Sequence, residues 1–161
     1  MSVETVKEYL KKFQLDERVL VFSQSSATVE LAAQALSVEP ARIAKTLSFL
    51  VNGKCVLVVA AGDARVDNGK FKAQFGTKAK MLTPEQVETF TGHKVGGVCP
   101  FALPEDQAVE VYTDRSLQRF DEIFPAAGDA SSAVRMNCEE LFCASGSAGW
   151  VDVCKDWQEK E

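Results

Sequence analysis

Two features of the sequence place chemically capable groups in unusual positions. Lys45 alternates with Leu47, Phe49 and Val51, so an amine shares a strand face with three residues expected in the core. In residues 96–100, two glycines and a proline interrupt an extended segment, which frees backbone N–H and C=O groups to bind a ligand. Two simpler interpretations stay open: a strand-end lysine whose amine reaches water, and a β-bulge or edge-strand end at the glycines.

A cysteine and the single histidine offer a second kind of chemistry. Cys99 and His93 would form a nucleophile and its base, since thiolate attack needs a neighbouring proton acceptor. However, His93 directly follows a predicted helix end and Cys99 lies in an apolar segment, which favours an exposed histidine and a packed thiol. The five cysteines lack Cys-x-x-Cys spacing, so we expect free thiols, with no disulfide framework, metal or cofactor.

Charge is distributed unevenly along the chain. The net charge of −5 argues against a protein that wraps DNA or another nucleic acid through a broad basic surface. Thirteen basic and ten acidic residues lie within 1–100, whereas five basic and thirteen acidic residues follow. Lys70, Lys72, Lys78 and Lys80 fall in an acid-free stretch over 68–82, which indicates either a local patch facing phosphates or an ordinary solvated face.

Length and hydropathy limit the organisation of the chain. The 161 residues fit one domain over 1–161. No apolar stretch approaches the roughly 20 residues of a membrane helix. The opening segment is amphipathic and of mixed charge, unlike a secretory signal. We therefore expect a cytoplasmic protein with no membrane partner.

The elements that must position these groups follow from periodicity and turn chemistry. Residues 45–51 and 55–61 flank Asn52-Gly53, the pair that a type I′ hairpin turn requires. The second of these strands is apolar on both faces, so it should lie centrally in a covered sheet. Further strands are predicted over 18–23, 78–82, 94–101, 109–114 and 133–136. Helices are predicted over 3–13, 28–36, 68–75, 83–92 and 116–123 and after Asn137. The expected N-caps are Thr28, Asp67 or Asn68, Thr83 in a capping box with Gln86, and Asn137 in the run to Glu140. This irregular order predicts an α+β fold with a mixed, strongly curled sheet.

Three motifs together carry a family resemblance. They are Arg42-Ile-Ala-Lys-Thr-Leu-Ser-Phe49 before an Asn-Gly hairpin, Gly96-Gly-Val-Cys-Pro-Phe101, and Ser132-Ala-Val-Arg-Met136 followed by Glu139-Glu-Leu141. In this order and spacing they resemble the YbaK-type aminoacyl-tRNA deacylases, a superfamily that includes the editing domain inserted in bacterial prolyl-tRNA synthetase. The likeness extends over about 22–153. The fold that it implies is a mixed sheet rolled into a barrel-like form with flanking helices.

The resemblance implies roles for individual residues. Lys45 is the expected functional residue, and the loop over 96–100 is expected to hold the aminoacyl carbonyl. The cysteine-releasing members carry Gly-Leu-Asp after the late glycine, whereas this chain has Ala133 at the aspartate position and Phe22 where they have tyrosine. We therefore expect a substrate other than Cys-tRNA. The expected substrate-binding residues are Phe22, Thr46, Gly96, Gly97, Val98, Cys99, Pro100, Asp129, Ser131 and Ser132.

The function that the resemblance implies is hydrolysis of the ester in a mischarged tRNA, expected to be a proline-specific tRNA that carries alanine or another small amino acid. An aminoacyl ester is already activated, so positioning, carbonyl polarisation and a placed water suffice. The expected partners are the acceptor end of the tRNA and, in addition, a prolyl-tRNA synthetase. The acidic second half suits a protein partner, so a non-catalytic module that binds aminoacyl-tRNA or a synthetase remains the alternative.

Overall fold

The computed structural model describes residues 3–157. The α-helices are α1 Val3–Leu10, α2 Val29–Leu36, α3 Asn68–Phe75, α4 Pro84–Thr91 and α5 Cys138–Ser145. The strands are β1 Val19–Val21, β2 Ile43–Val51, β3 Lys54–Ala61, β4 Arg65–Val66, β5 Val109–Asp114, β6 Phe124–Pro125, β7 Ser132–Val134, β8 Trp150–Val151 and β9 Cys154–Lys155. Short 3-10 helices occur at Lys11–Phe13, Asp16–Arg18, Pro40–Arg42 and Arg115–Arg119. Within this range, none of the helices has the length and apolar character to cross a bilayer.

The main sheet has five strands in the order β6-β2-β3-β5-β8. The β2–β3 pair is antiparallel, whereas β2–β6, β3–β5 and β5–β8 are parallel. Two small antiparallel pairs, β1–β7 and β4–β9, accompany it. The predicted α+β class and mixed sheet are therefore confirmed. The strongly curled, barrel-like form is not confirmed, because the ladder ends at two different edge strands, β6 and β8.

The hairpin and its central strand form as predicted. Asn52 and Gly53 have φ values of 50° and 79°, the positive pair of a type I′ turn. Every residue of β3 after Lys54 is buried, and β3 lies in the middle of the sheet. Its side chains join one large core cluster with residues such as Phe49 and Phe71. The hairpin thus fixes the position and register of Lys45, which pairs with Ala60.

The helix caps expected from the sequence are present. The Thr28 side chain accepts from Leu31 N, and Asp67 accepts from Lys70 N. Thr83 with Gln86 and Asn137 with Glu140 both form complete capping boxes. Each cap satisfies backbone N–H groups that the first helical turn leaves without partners.

Three predicted elements differ from the structure. Residues 94–101 form turns, because Gly97 N bonds to Lys94 O and Gly96 adopts a φ of 100°, which a regular strand does not allow. The predicted helix over 116–123 is only the 3-10 helix Arg115–Arg119, since Phe120 is already extended at its C-terminal end. The predicted strand over 78–82 makes a single bridge to β2, between Met81 and Phe49. The strands predicted over 18–23 and 133–136 are confirmed in the shorter forms β1 and β7.

Truncating the central strand should cost substantial stability. Leu57 in β3 is fully buried, so Leu57→Ala removes packing in the middle of the main sheet and leaves a cavity. We expect the free energy of unfolding to fall by about 2–5 kcal/mol in urea titrations. Val21 in β1 is 68% exposed. The control variant Val21→Ala should therefore change the free energy of unfolding by less than about 0.5 kcal/mol. Equal losses in the two variants would contradict the position of β3 in the core.

Candidate functional site

A cavity of about 350 Å³ lies beside the first half of β2. Several separate parts of the chain line it, and most of the lining side chains are small or apolar. The lining residues are Ser26, Ala27, Thr28, Val29, Ala32, Ile43, Ala44, Lys45, Thr46, Ser48, Met81, Leu82, Pro84, Val87, Val95, Gly96, Val98, Phe124, Ala126, Ser132 and Ala133. The volume is at the lower end of the range for small-molecule sites.

The cavity exists because one edge of β2 lacks a neighbouring strand along part of its length. The β6 strand pairs only with Ile43 and Ala44, and the next contact on this side is the Phe49–Met81 bridge. Ser48 O accepts from Leu82 N across the same edge. By strand alternation, the backbone groups of Thr46 point to the same side. The Thr46 hydroxyl is buried and has no hydrogen-bond partner among the described residues, so it remains available to a bound molecule.

Lys45 lines this cavity, and its amine is held by the turn that follows β3. The ammonium donates to Gly62 O at 3.3 Å and to Ala64 O. The amine is therefore fixed by two backbone carbonyls, rather than extended into water as the simpler interpretation of this lysine required. An ammonium has three donors, and these two bonds leave one for a ligand.

The electrostatic surroundings of Lys45 reduce its basicity. Burial lowers the pKa of its ammonium below the usual range, because the charged form loses solvation. The Cys154 thiol and the carboxylates of Asp63 and Glu30 act in the opposite direction, whereas Arg65 adds to the lowering. The amine can therefore act as a fixed donor whose charged form is less favoured than that of an exposed lysine.

The glycine loop over 96–100 forms another part of the cavity wall through Gly96 and Val98. Gly97 packs so closely on a second loop that a Cβ there would lie 2.6 Å from the Asp129 Cα. Only glycine permits this approach. The same two loops also meet through Cys99, because the backbone at Gly128 donates to its thiol and opposes the rise in its pKa. The two loops therefore form a single packed unit.

The structure brings together five of the residues that the sequence singled out. Lys45, Thr46, Gly96, Val98 and Ser132 all line the cavity. The remaining six do not. These are Phe22, Gly97, Cys99, Pro100, Asp129 and Ser131.

The residues outside the cavity support its walls. Phe22 packs against the cluster containing Ile43, Phe124 and Ala133, and its N–H donates to Ser131 O at 2.8 Å. Asp129 accepts from Ser131 N at 2.8 Å, which makes a local turn.

Sequence reasoning missed the carbonyls of Gly62 and Ala64 and the α2 side of the cavity. The Gly-Asp pair after β3 is a turn signal that could have pointed to the carbonyls.

His93 and Cys99 form a buried contact rather than a catalytic pair. Both side chains are fully buried, so the predicted exposure of His93 is wrong and the predicted packing of Cys99 is confirmed. His93 Nε2 lies 2.8 Å from Phe101 O and 3.5 Å from the thiol. A carbonyl only accepts, so Nε2 carries the proton and is not a base toward Cys99. Burial raises the pKa of the Cys99 thiol to about 12, which disfavours the thiolate. Neither residue lines the cavity.

The other cysteines are also free thiols, as predicted. Burial raises the pKa of Cys55 and of Cys154 to about 12. Within residues 3–157, no group of three or more His, Cys, Asp or Glu side chains is arranged to hold a metal ion.

The comparison with protein families defines the class of this protein. The family model described as an aminoacyl-tRNA editing domain matches residues 23–142, which include Lys45, the glycine loop and β7. The chain belongs to the aminoacyl-tRNA editing domain family. The resemblance seen in the sequence motifs is therefore confirmed.

Related sequences occur both alone and inside larger proteins. The uncharacterized protein YwhH of Bacillus subtilis (strain 168) is 48% identical over 159 residues, which are 98% of this chain and 100% of that protein. The proline–tRNA ligase of Solidesulfovibrio magneticus is 38% identical over 92 residues, which are 56% of this chain and 15% of the ligase. This chain therefore matches only a small part of such a synthetase.

Solved structures share the whole fold. A protein described as a candidate trans-editing enzyme for prolyl tRNA synthetase has a TM-score of 0.85 and 27% identity, and the match covers 96% of this chain and 99% of that chain. The hypothetical protein APE2540 has a TM-score of 0.83 and 31% identity, with 94% and 99% covered. The overall arrangement of helices and strands is thus shared with a trans-editing candidate.

The buried histidine should make stability depend on pH. Burial lowers the pKa of His93 below its usual value, so the unfolded chain binds its proton more readily. The stability that the neutral ring contributes is complete above about pH 6.5 and is lost as the pH falls toward the folded-state value. We expect the free energy of unfolding to decrease from pH 7.5 to 5.5, by at most about 1.4 kcal/mol per pH unit, the limit for one proton.

The matched variant is His93→Gln, whose amide can still donate to Phe101 O but does not titrate. Because His93 is the only histidine, this variant should show a flatter profile over the same window. Parallel profiles for the two proteins in urea titrations would contradict a buried, neutral His93.

Proposed function

We propose that this protein hydrolyses the ester bond of a mischarged aminoacyl-tRNA as a trans-editing deacylase. The observation that carries the proposal is the shared cavity of Lys45 and the glycine loop, in a chain that belongs to the aminoacyl-tRNA editing domain family. Both features were singled out by residue type and spacing alone, and they meet at one small cavity.

The chemistry rests on positioning and polarisation. The aminoacyl ester enters the cavity, where the backbone of the loop at Gly96 and Val98 orients its carbonyl. The Lys45 ammonium, fixed by two carbonyls, offers its remaining hydrogen to the developing oxyanion or to the phosphate of the terminal adenosine. Water attacks the carbonyl carbon, the ester C–O bond breaks, and the ribose oxygen leaves with a proton. The unpartnered Thr46 hydroxyl gives a further contact for the substrate.

The size and lining of the cavity favour a small aminoacyl group. Hydroxyl groups at Ser26, Thr46 and Ser132 provide a few polar contacts in an otherwise largely apolar wall. A pocket of about 350 Å³ that holds the aminoacyl group together with part of the terminal nucleotide leaves room for a small side chain such as that of alanine. The relation to proline–tRNA ligases supports a proline-specific tRNA carrying alanine as the substrate.

Basic and apolar groups at the cavity suit a single-stranded RNA end. Met81 and Val95 line the cavity yet are 59% and 64% exposed, which gives apolar surface for a terminal base. Lys80 and Lys94 directly precede them, and both are exposed with no ion pair among the described residues. Lys70, in contrast, binds Asp152 and Cys154 O, each at 3.1 Å. Lys80 and Lys94, which adjoin the cavity-lining Met81 and Val95, are therefore the lysines proposed to bind phosphate.

Removing the amine should abolish most of the activity. We expect the purified protein to deacylate proline-specific tRNA charged with alanine, and Lys45→Ala to be slower by about 10²–10³-fold, the cost of losing one preorganised oxyanion donor. The measurement is the release of radiolabelled alanine, with tRNA charged with proline and with cysteine as comparison substrates.

The matched control is Lys54→Ala, which removes an exposed lysine from the same hairpin. It should keep the wild-type rate. The proposal is wrong if no ester is cleaved faster than in buffer, or if Lys45→Ala is fully active. Saturable binding of tRNA without turnover would instead identify the non-catalytic binding module, which the acidic second half of the chain favours.

Removing the lysines near the cavity should weaken binding more than chemistry. For the double variant Lys80→Ala with Lys94→Ala, we expect KM to rise several-fold with kcat nearly unchanged. The slope of the logarithm of the tRNA-binding constant against the logarithm of the salt concentration should decrease in magnitude. We expect a decrease of about 0.7 for each single-strand phosphate whose lysine partner is removed. Lys7→Ala with Lys155→Ala removes the same charge away from the cavity and should leave KM and the salt slope unchanged. Equal effects of the two double variants would contradict the proposed binding of the RNA end beside Lys80 and Lys94.

A further inference from the structure

The turn that holds the Lys45 ammonium is itself tightly restrained. Ala64 N donates to Ala61 O at 3.0 Å, which closes the turn after β3. Gly62 is pressed against the 3-10 helix Pro40–Arg42, since a Cβ at this position would overlap the Pro40 carbonyl oxygen. The two carbonyls that accept from Lys45 belong to Gly62 and Ala64, which flank a single intervening residue of the turn.

That intervening residue is Asp63, and both terminal nitrogens of the Arg119 guanidinium donate to its carboxylate. Arg119 Nη1 lies 2.9 Å from Asp63 Oδ2, and Nη2 lies 2.6 Å from Oδ1. This two-point geometry fixes the direction of the carboxylate as well as its distance, which a lysine ammonium cannot reproduce. The Arg119 and Asp63 side chains are 26% and 36% exposed, so the pair lies at the surface and its effect rests on the two-point geometry rather than on burial.

Arg119 is in turn fixed by its own surroundings. Its Nε donates to Ser116 O at 2.8 Å, and Nη1 also donates to Trp157 O at 3.1 Å. The guanidinium carbon lies 4.8 Å from the centre of the Phe120 ring and 5.3 Å from that of Trp157. The guanidinium is therefore held on several sides, by two backbone carbonyls and two aromatic rings.

The same 3-10 helix also holds the start of the turn. Ser116 Oγ accepts from Ala61 N at 3.0 Å, and Ser116 N is capped by Asp114. Arg115–Arg119 thus contacts the turn twice, through Ser116 at Ala61 and through Arg119 at Asp63. Neither contact touches the cavity, because no residue of this 3-10 helix lines it.

We propose that Arg119 is a positioning residue for Lys45. Its two-point ion pair with Asp63, called here the Arg119–Asp63 fork, fixes the conformation of the turn whose carbonyls hold the ammonium at the cavity. The inference rests on the proposed role of Lys45 in ester hydrolysis. It adds a residue that contacts neither the cavity nor the lysine and acts through one intervening carboxylate.

The consequence of removing the fork follows from the charges around the amine. The groups that act on Lys45 are the Cys154 thiol, Asp63, Arg65 and Glu30, in addition to burial. Without Arg119, the Asp63 carboxylate has no cationic partner and competes with the two carbonyls for the ammonium. The amine then shifts toward Asp63, its pKa rises, and the hydrogen offered to the substrate points elsewhere.

The experiment compares Arg119→Gln and Arg119→Lys with the wild type, and uses Arg115→Gln as the matched control from the same 3-10 helix. Two quantities are measured: the pH titration of the Lys45 side-chain resonance in ¹³C-lysine-labelled protein, assigned with Lys45→Arg, and kcat and KM for deacylation. For Arg119→Gln we expect a raised Lys45 pKa, a kcat lower by about tenfold from misplacement of the donor, and KM within about twofold. Arg119→Lys should be intermediate, and Arg115→Gln should match the wild type.

The two readouts separate the possible failures. If Arg119→Gln leaves both the Lys45 titration and kcat at wild-type values, the positioning role is wrong. If the titration shifts but the wild type itself cleaves no ester, the positioning role stands and the proposed function fails. If Arg119→Gln does not fold, Asp63→Asn tests the positioning role instead. This variant removes the carboxylate, so the Lys45 pKa should fall and kcat should again decrease. An unchanged Lys45 titration in Asp63→Asn would overturn the inference.

Discussion

The interaction on which the site depends is the pair of hydrogen bonds from the Lys45 ammonium to the carbonyls of Gly62 and Ala64. A lysine amine on a largely apolar strand face would otherwise be costly, because burial disfavours its charged form. The carbonyls offset part of that cost and also fix the direction of the amine. The register of the β2–β3 hairpin makes this possible, since it pairs Lys45 with Ala60, close to the turn that supplies the acceptors.

The cavity is a consequence of how the sheet ends. Only the first two residues of β2 have a partner in β6, so the adjoining edge is left without a strand. The glycine loop and the 126–133 segment enclose this gap instead of filling it. The candidate site therefore combines an open strand edge, whose backbone groups can bind, with walls built from loops that pack on one another.

Periodicity and turn chemistry were sufficient for the elements that depend on local rules. The Asn52-Gly53 turn, the buried β3 strand and the capping boxes at Thr83 and Asn137 all follow from neighbouring residues and were predicted correctly. The motif at Lys45 and the glycine loop also identified two walls of the cavity. Long-range contacts could not be inferred in this way. His93 looked exposed because it follows a helix end, yet packing against Cys99 and Phe101 buries it, and the Arg119–Asp63 fork joins residues 56 positions apart.

The close approach of Gly97 to Asp129 has a mechanical consequence for the cavity. Two loops that touch backbone to backbone cannot slide past one another without breaking that contact, so the cavity wall at Gly96 and Val98 is held against the segment that contains Asp129. The width available to an incoming group is then determined by packing rather than by the momentary positions of flexible side chains. The shape of this part of the cavity wall is thus a property of the backbone itself.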